Sequence, residues 1–494
     1  MMRITIFLAL LLPFRGGNTF AQRPEARNFL SMTYDDHHKQ ILMFGGVDKK
    51  GIVDDLWALK GTEWKKLSDG GPKKVGSAFT YDAHRKAVVL FGGAGPDMLS
   101  DETWEWDGKK WNQINVSGPS PRMHTMGAYD YKSKTVLIFG GYGINNGITL
   151  SDTWAYDGGS WKQMDTDGPK DCLPHGMVYD EVNHRVILIT LASKGDPADN
   201  MRRKNDMWEW TGNSWKKLAY ATPSTTTRSL QALASFSPDG NRGGIILFDG
   251  DEINNTMGKT WIFSKGQWTG ASLPGPSAPR IAHGMIYDKA GKRTILFGGT
   301  DRVNNLNDLW AWDGKQWNDL TEQWLKTHKD DYEALKTYAT SLSNRGNYGK
   351  AEEVYKKILA KNPTDVQALL EVGLLMYKLK RPEEGGTYLS QAMQGGEHIS
   401  KSDYVNLGRS LSYLHFYKES AMYYGEGLKL QATGGDYYNQ ACSYALAGEK
   451  DKAFESLEQA VAHGFNKKQQ FENDKDLESL KADIKWNVLS EKLK

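Results

Sequence analysis

The sequence predicts a two-part chain: an all-β ring of six four-stranded sheets, followed by an all-α stack of helix pairs. Three observations predict it. A tryptophan pair with a constant spacing of seven recurs six times, the last at Trp310 and Trp317. Most copies open with a Tyr-Asp dipeptide and carry a Gly-Gly step after an apolar strand. Near residue 324 that pattern stops, and small residues then recur at Ala339, Gly373, Gly408 and Ala441 in sequence rich in Lys, Glu, Ala and Leu.

The chain has 494 residues, of which 25% are charged, and this suggests two or three globular domains. Sixty-two basic residues face 60 acidic ones, a formal net charge of +2. Such a balance gives no whole-molecule field for nucleic acid or an anionic membrane. Residues 1–21 read as a signal peptide. Arg3 supplies a positive start, Ile4 to Phe14 is apolar but too short to span a bilayer, and Thr19-Phe20-Ala21 offers small residues for cleavage. An exported protein, periplasmic or extracellular, is therefore expected. The two cysteines, Cys172 and Cys442, fall in different predicted domains, so packing and not a disulfide must stabilise the fold.

The β repeat occupies residues 22–323. Tyr34-Asp35, Tyr81-Asp82, Tyr129-Asp130, Tyr179-Asp180 and Tyr287-Asp288 open five copies. Gly45-Gly46, Gly92-Gly93, Gly140-Gly141 and Gly298-Gly299 supply positive φ and close backbone approach at a crowded turn. The tryptophan pairs are Trp57/Trp64, Trp104/Trp111, Trp154/Trp161, Trp208/Trp215, Trp261/Trp268 and Trp310/Trp317. In the third copy, strands are predicted near Met126–Tyr129, Thr135–Phe139, Thr153–Tyr156 and Ser160–Met164, with Asp157-Gly158-Gly159 as a hairpin turn. One four-stranded sheet leaves two faces bare. Six stacked radially bury them. The paired indoles read as cement between sheets, whereas Trp106, Trp210 and Trp312 lie outside the spacing and are expected to be freer for exposure.

These motifs resemble the kelch family over residues 26–323, and the resemblance implies a six-bladed β-propeller. Two copies depart from it. The fourth has Thr190-Leu191 for Gly-Gly and an insertion from Lys194 to Lys204. The fifth has Asp249-Gly250, and Phe236 without a following Asp.

The second repeat occupies residues 324–494. Twelve residues after each small anchor stands another small or polar residue: Ala351, Gly385, Ser420 and Ala453. Tyr355, Leu389, Tyr424 and Leu457 follow on the same helical face. Small residues let two helices cross closely, and the larger one fills the neighbouring gap. Over about residues 332–465 this resembles the tetratricopeptide-repeat (TPR) family, which implies an α-helical solenoid of about four repeats with a concave peptide groove. The segment from Asp476 to Leu489 is expected to cap its open end. Groove positions would include Lys336, Thr340, Gln367, Leu374, Arg409 and Tyr438. Thr340 and Glu371 replace the asparagines of the clamp that some TPR domains use for acidic C-termini, which disfavours that mode.

Candidate binding residues of the β domain lie before each innermost strand. Seven residues ahead of each Tyr stand Arg27, Lys74, Arg122, Cys172, Arg228 and Arg280, the fifth within one residue of alignment. Sixfold symmetry would gather them at a shaft mouth, where a cationic ring concentrates anions. The competing expectation is that each Arg pairs with an acidic residue of the adjacent blade. His124, His175 and His283 lie near the same strand starts and count among the candidate ligand-binding residues of the mouth, with a structural, hydrogen-bonded role as the competing reading. No metal-ligand spacing, nucleophile-base motif or phosphate loop occurs, so no metal, cofactor or catalytic residue is assigned. The expected function is a non-catalytic interaction scaffold that binds protein or peptide ligands through the propeller mouth and the TPR groove. The alternative is a carbohydrate-binding or carbohydrate-active protein whose basic mouth holds an acidic sugar. Some kelch relatives act in this way as sialate epimerases.

Overall fold

The computed structural model describes residues 23–96, 98–143, 149–164, 168–192, 205–220, 232–236, 243–249, 259–271, 275–276, 280–300, 305–329, 331–344, 346–394 and 399–493. The expected leader, Arg228 and the Lys194–Lys204 insertion lie outside them. The chain divides in the main into two compact units, the first ending at Asp331 and the second running from Tyr332 to Lys494.

The first unit is a six-bladed β-propeller. Each blade is an antiparallel sheet whose four main strands pair in sequence order. The innermost strands are Ser31–Asp35, Ala78–Asp82, Met126–Asp130, Cys172–Asp180, Ala232–Phe236 and Gly284–Asp288. Each touches the next, and the last touches the first. Strands two and three of the third blade run past the predicted ends, as Thr135–Gly143 and Thr149–Tyr156, through a bulge between Phe139 and Gly141. The Gly pair thus bends the strand in this blade, whereas in blades two and six the second strand ends at Phe91 and Phe297, just before the pair. In blade four, Thr190-Leu191 keeps the strand pairing through Ala192. In blade five the register sets Ser235 where other blades have Tyr, and Phe236 where they have Asp.

Blade interiors are layers of Val, Ile, Leu and Phe, such as Val136 to Phe139 and Ile295 to Phe297, almost fully removed from water. The expectation that Trp106, Trp210 and Trp312 are exposed fails, because all three are buried. Each sits opposite the second Trp of its blade, with ring centroids 5.7, 5.1 and 5.6 Å apart. Directly opposed positions on neighbouring strands bring side chains together.

The ring closes without a shared blade. Strands from the two ends of the unit stay in separate sheets. Three backbone hydrogen bonds make the seam between blades six and one: Arg27 N to Leu306 O, Phe29 N to Ala282 O, and Gly299 N to Arg27 O. The joint between blades two and three uses the equivalent bonds: Arg122 N to Ser100 O, His124 N to Gly76 O, and Gly93 N to Arg122 O. A short helix, α1 (Leu320–Thr327), follows the last strand, with Leu320 and Trp324 buried. It groups with the propeller, so the helical unit starts at Tyr332 and not at the expected residue 324.

The second unit contains four helix pairs, α2 (Tyr332–Asn344) with α3 (Tyr348–Lys361), α4 (Val366–Lys378) with α5 (Pro382–Gln394), α6 (Lys401–Tyr413) with α7 (Tyr417–Leu430), and α8 (Gly434–Leu446) with α9 (Lys450–Ala462). The small anchors do the predicted work. A β-carbon on Gly373 would lie 2.6 Å from Leu389, and one on Gly408 would lie 2.8 Å from Tyr424. Ser420 Oγ donates to the Gly408 carbonyl across the crossing. Helix α10 (Lys468–Asn473), a 3-10 turn (Lys475–Leu480) and α11 (Ile484–Ser490) bury Phe471, Leu477, Leu480, Trp486 and Leu489 against α8 and α9. This is a helical repeat domain with its end covered.

Candidate functional site

The predicted cationic ring is engaged within the propeller. Arg27, Arg122 and Arg280 are 1%, 0% and 0% exposed. Each guanidinium grips one carboxylate with two nitrogens: Arg27 with Asp55 at 2.5 and 3.0 Å, Arg122 with Asp152 at 2.6 and 2.8 Å, and Arg280 with Asp308 at 2.6 and 2.7 Å. The same guanidinium donates to the carbonyl of the first Gly of its Gly-Gly step, at Gly45, Gly140 and Gly298. The carboxylate stands two residues before the first Trp and accepts from that indole at 2.7 Å in all three blades. One buried node therefore unites the Arg, the Gly pair and the Trp. The expectation of a free cationic mouth is corrected, and so is the expected partner. The acid comes from the third strand of the same blade and not from a neighbour.

Blade two confirms the rule by a double change. Lys74 replaces Arg, Glu102 replaces Asp, and the two pair directly while Glu102 accepts from the Trp104 indole. The shorter cation is met by the longer acid. In blade four, Cys172 takes the Arg position. Asp206 turns to Lys217 at 2.7 Å, and the Trp208 indole finds Thr190 Oγ1 instead. Burial pushes the Cys172 thiol up to about 11, so it stays protonated and unreactive near neutral pH. Burial raises the carboxyls of Asp55 and Asp152, but the bonds and charge of their arginines outweigh it and hold both below the usual range.

His124 and His283 border a shaft cavity of about 180 Å³ where the innermost strands begin. His175 is buried outside that lining. Burial lowers the His124 pKa to about 4. For His283, burial and then the Arg280 charge lower it to about 3, so both rings are neutral. A second cavity of about 140 Å³ lies further along the shaft. Met32, Phe79, Gly127, Met177 and Met285 border both.

Where the innermost strands end, the structure assembles a group that the sequence analysis missed. Lys289 Nζ lies 2.9 Å from Asp36, 3.0 Å from Glu181 and 2.6 Å from the Tyr131 hydroxyl, which itself donates to Asp36. These residues come from blades six, one, four and three. All four stand immediately after the Tyr-Asp pair of their blade. Burial pulls the Lys289 pKa down, but Glu181 and Asp36 outweigh it and hold it above the ordinary value. The network bolts that end of the shaft from opposite sides.

The turns around it carry a second regularity. The Asp of each Tyr-Asp pair is buried and accepts from backbone N–H groups of the turn, as Asp35 does from His37 and His38 and Asp82 from His84 and Arg85. Four residues link the strands, and the last of them is left-handed: Lys39 (φ 54), Lys86 (φ 59), Lys134 (φ 57), His184 (φ 52) and Lys292 (φ 50). That conformation costs a residue with a β-carbon about 1–2 kcal/mol. All five side chains are exposed.

In the helical unit, the groove candidates sit on the first helix of each pair. Lys336 is held by Glu333 and Asp365, Thr340 bonds the Tyr355 hydroxyl, Leu374 packs against the apolar cluster of α4 to α7, and Gln367 and Arg409 are exposed. Tyr438 is not a groove residue. It is 3% exposed beneath the cap and donates to Asp474 at 2.7 Å. Asp474 also gathers Cys442 and Asp476, whose donor atoms lie within 4.8 Å of one another and of its own. Burial drives the Cys442 thiol far up, and Asp474 is already bonded by both Tyr438 and Cys442, so the group fits a metal poorly.

Residues 17–190 match the family model described as the KLHDC2/KLHL20/DRC7 Kelch-repeats domain. The six-bladed ring thus carries a kelch-repeat domain over its first three blades and the start of the fourth. No curated protein gives a significant match to the chain. The recurring residues have linked physical roles: Gly-Gly receives the Arg, the acid before the first Trp binds that Arg, and the second Trp reaches the preceding blade. Trp161, Trp215 and Trp317 each donate to the Thr of the previous blade, Thr103, Thr153 and Thr260, at 2.9, 2.9 and 2.8 Å. Where that Thr is Leu56 or Met207, the following indoles, Trp111 and Trp268, have no hydrogen-bond partner.

Proposed function

We propose that the protein is a non-catalytic interaction scaffold, with a kelch propeller and a helical repeat domain that each engage protein partners. One observation carries this reading. Among the described residues, Arg27, Lys74, Arg122 and Arg280 are closed into intra-blade nodes, which turns attention to the exposed turns of the propeller as a recognition surface. Kelch propellers suggest protein partners, and rigid blades present loops well. The helical unit adds exposed Gln367 and Arg409 on first helices, in keeping with a TPR-like peptide groove. Export through the apolar leader belongs to the same proposal.

The test is native mass spectrometry of the full chain after incubation with exported proteins of its source. A stoichiometric protein complex is expected. Parallel NMR of acidic sugars, read at the anomeric protons, should show no acceleration, and measurable turnover would replace this reading with an enzymatic one.

A further inference from the structure

We propose that the rim where the innermost strands end is a docking surface for an acidic polypeptide segment of a partner. The proposal rests on the interaction reading above and assigns it a face and a partner chemistry. Lys39, Lys86, Lys134 and Lys292 occupy one equivalent position in four blades, with His184 in a fifth. The turns that carry them lie together at one end of the shaft, because the innermost strands all run towards that end. The four lysines are exposed and make no ion pair.

The backbone does not select lysine here. The left-handed conformation is the one that Gly adopts freely and Asn tolerates. A strained, exposed, unpaired cation recurring in four blades points to the side chain as the reason. The outer hairpins at the same end carry exposed acids, Glu63, Asp107, Asp157 and Asp313, beside exposed Lys60, Lys109, Lys110 and Lys265, but the acids of the lysine turns themselves are engaged elsewhere. Asp35, Asp82, Asp130, Asp180 and Asp288 are buried as turn caps, and Asp36 and Glu181 are held by Lys289. The rim therefore presents positive charge outward from fixed points on a β scaffold.

The same turns favour a polypeptide over other anions. Among the described residues, no large apolar side chain is exposed in them, so nothing is there to insert into lipid. The cations are lysines, without the fork that grips phosphate bidentately. Point charges on four successive blades, six, one, two and three, suit carboxylates spread along a flexible chain.

The experiment measures fluorescence anisotropy of a labelled poly-glutamate peptide of about fifteen residues with the full chain, at low salt and at about 150 mM salt. The test variant combines Lys39→Asn, Lys86→Asn, Lys134→Asn and Lys292→Asn. Asn tolerates the left-handed turn, so the melting temperature should not fall. A control variant, Lys357→Gln, Lys361→Gln, Lys450→Gln and Lys475→Gln, removes the same charge from the helical unit. The expected result is salt-sensitive binding, weakened roughly tenfold or more by the rim variant and little by the control. Equal weakening by both variants, or none by the rim variant, overturns the proposal. Stronger rim-dependent binding to oligothymidine or to phosphatidylserine vesicles than to poly-glutamate overturns the polypeptide assignment. Because the interaction reading is tested on captured partners, a negative result here removes the rim and leaves that reading standing.

Discussion

Arg280 and Asp308 are 0% and 1% exposed, and they pair charge with charge at the centre of a buried node. Removing one partner of such a buried pair costs about 3–5 kcal/mol, far more than the pair's net worth. Arg280→Ala should therefore lower the melting temperature by many degrees, and calorimetry will show it. The inter-blade indole bonds are smaller and cleaner. Thr153→Val keeps shape and leaves the buried Trp215 N–H without its acceptor, at a cost of about 1–2 kcal/mol. Adding Trp215→Phe should then cost less than it does in the wild type, which a double-mutant cycle in urea measures. The Arg position was legible in the sequence, and pairing with an acid was one of its two expected roles, but the place of that acid was not legible. The partner acid lies 28 residues ahead of Arg27 and 30 ahead of Arg122, two before the first Trp, and no local motif joins them. The paired change to Lys74 and Glu102 was the available signal, because it compensates length between two distant columns of the repeat.

At the level of the turn, sequence and structure agree on place and differ on content. The Tyr-Asp pair marked where each innermost strand ends, because the Asp caps a four-residue link. The residue after it escaped notice, since Asp36, Tyr131, Glu181 and Lys289 share no chemistry until the fold sets them together. Lys86→Asn alone should raise stability by about 0.5–1 kcal/mol by relieving the left-handed backbone, seen as a higher urea midpoint. The strand starts carry a pH dependence. His124 and His283 have folded pKa values of about 4 and about 3, below the ~6.5 of an unfolded chain. The unfolded state then takes up protons first as pH falls. Their contribution is complete above about pH 6.5 and is lost towards pH 4. Melting temperatures between pH 7.5 and about 4.5 should fall in the wild type and fall less in His124→Gln with His283→Gln.

For the whole molecule, the blade count and the helix pairs followed from period alone, because each repeat must bury a face that it cannot bury by itself. The boundary did not follow, since α1 looks helical in sequence yet groups with the propeller through Leu320 and Trp324. Residues 23–331 should accordingly fold as a unit with a single cooperative melt, whereas ending the chain at residue 319 removes two buried anchors and should broaden or abolish that melt.

The seam between the sixth and first blades has a consequence for biosynthesis. It is built like the joint between blades two and three, with the same backbone bonds, and among the described residues no strand from one end of the ring completes a sheet begun at the other. A nascent arc of five blades therefore has two finished, greasy ends. Leu30, Met32 and Trp64 wait at one of them for Ile295, Phe297 and Leu309, which the ribosome delivers only with the sixth blade. A chain halted before that delivery would be well folded blade by blade and still prone to stick to its own copies, end to end.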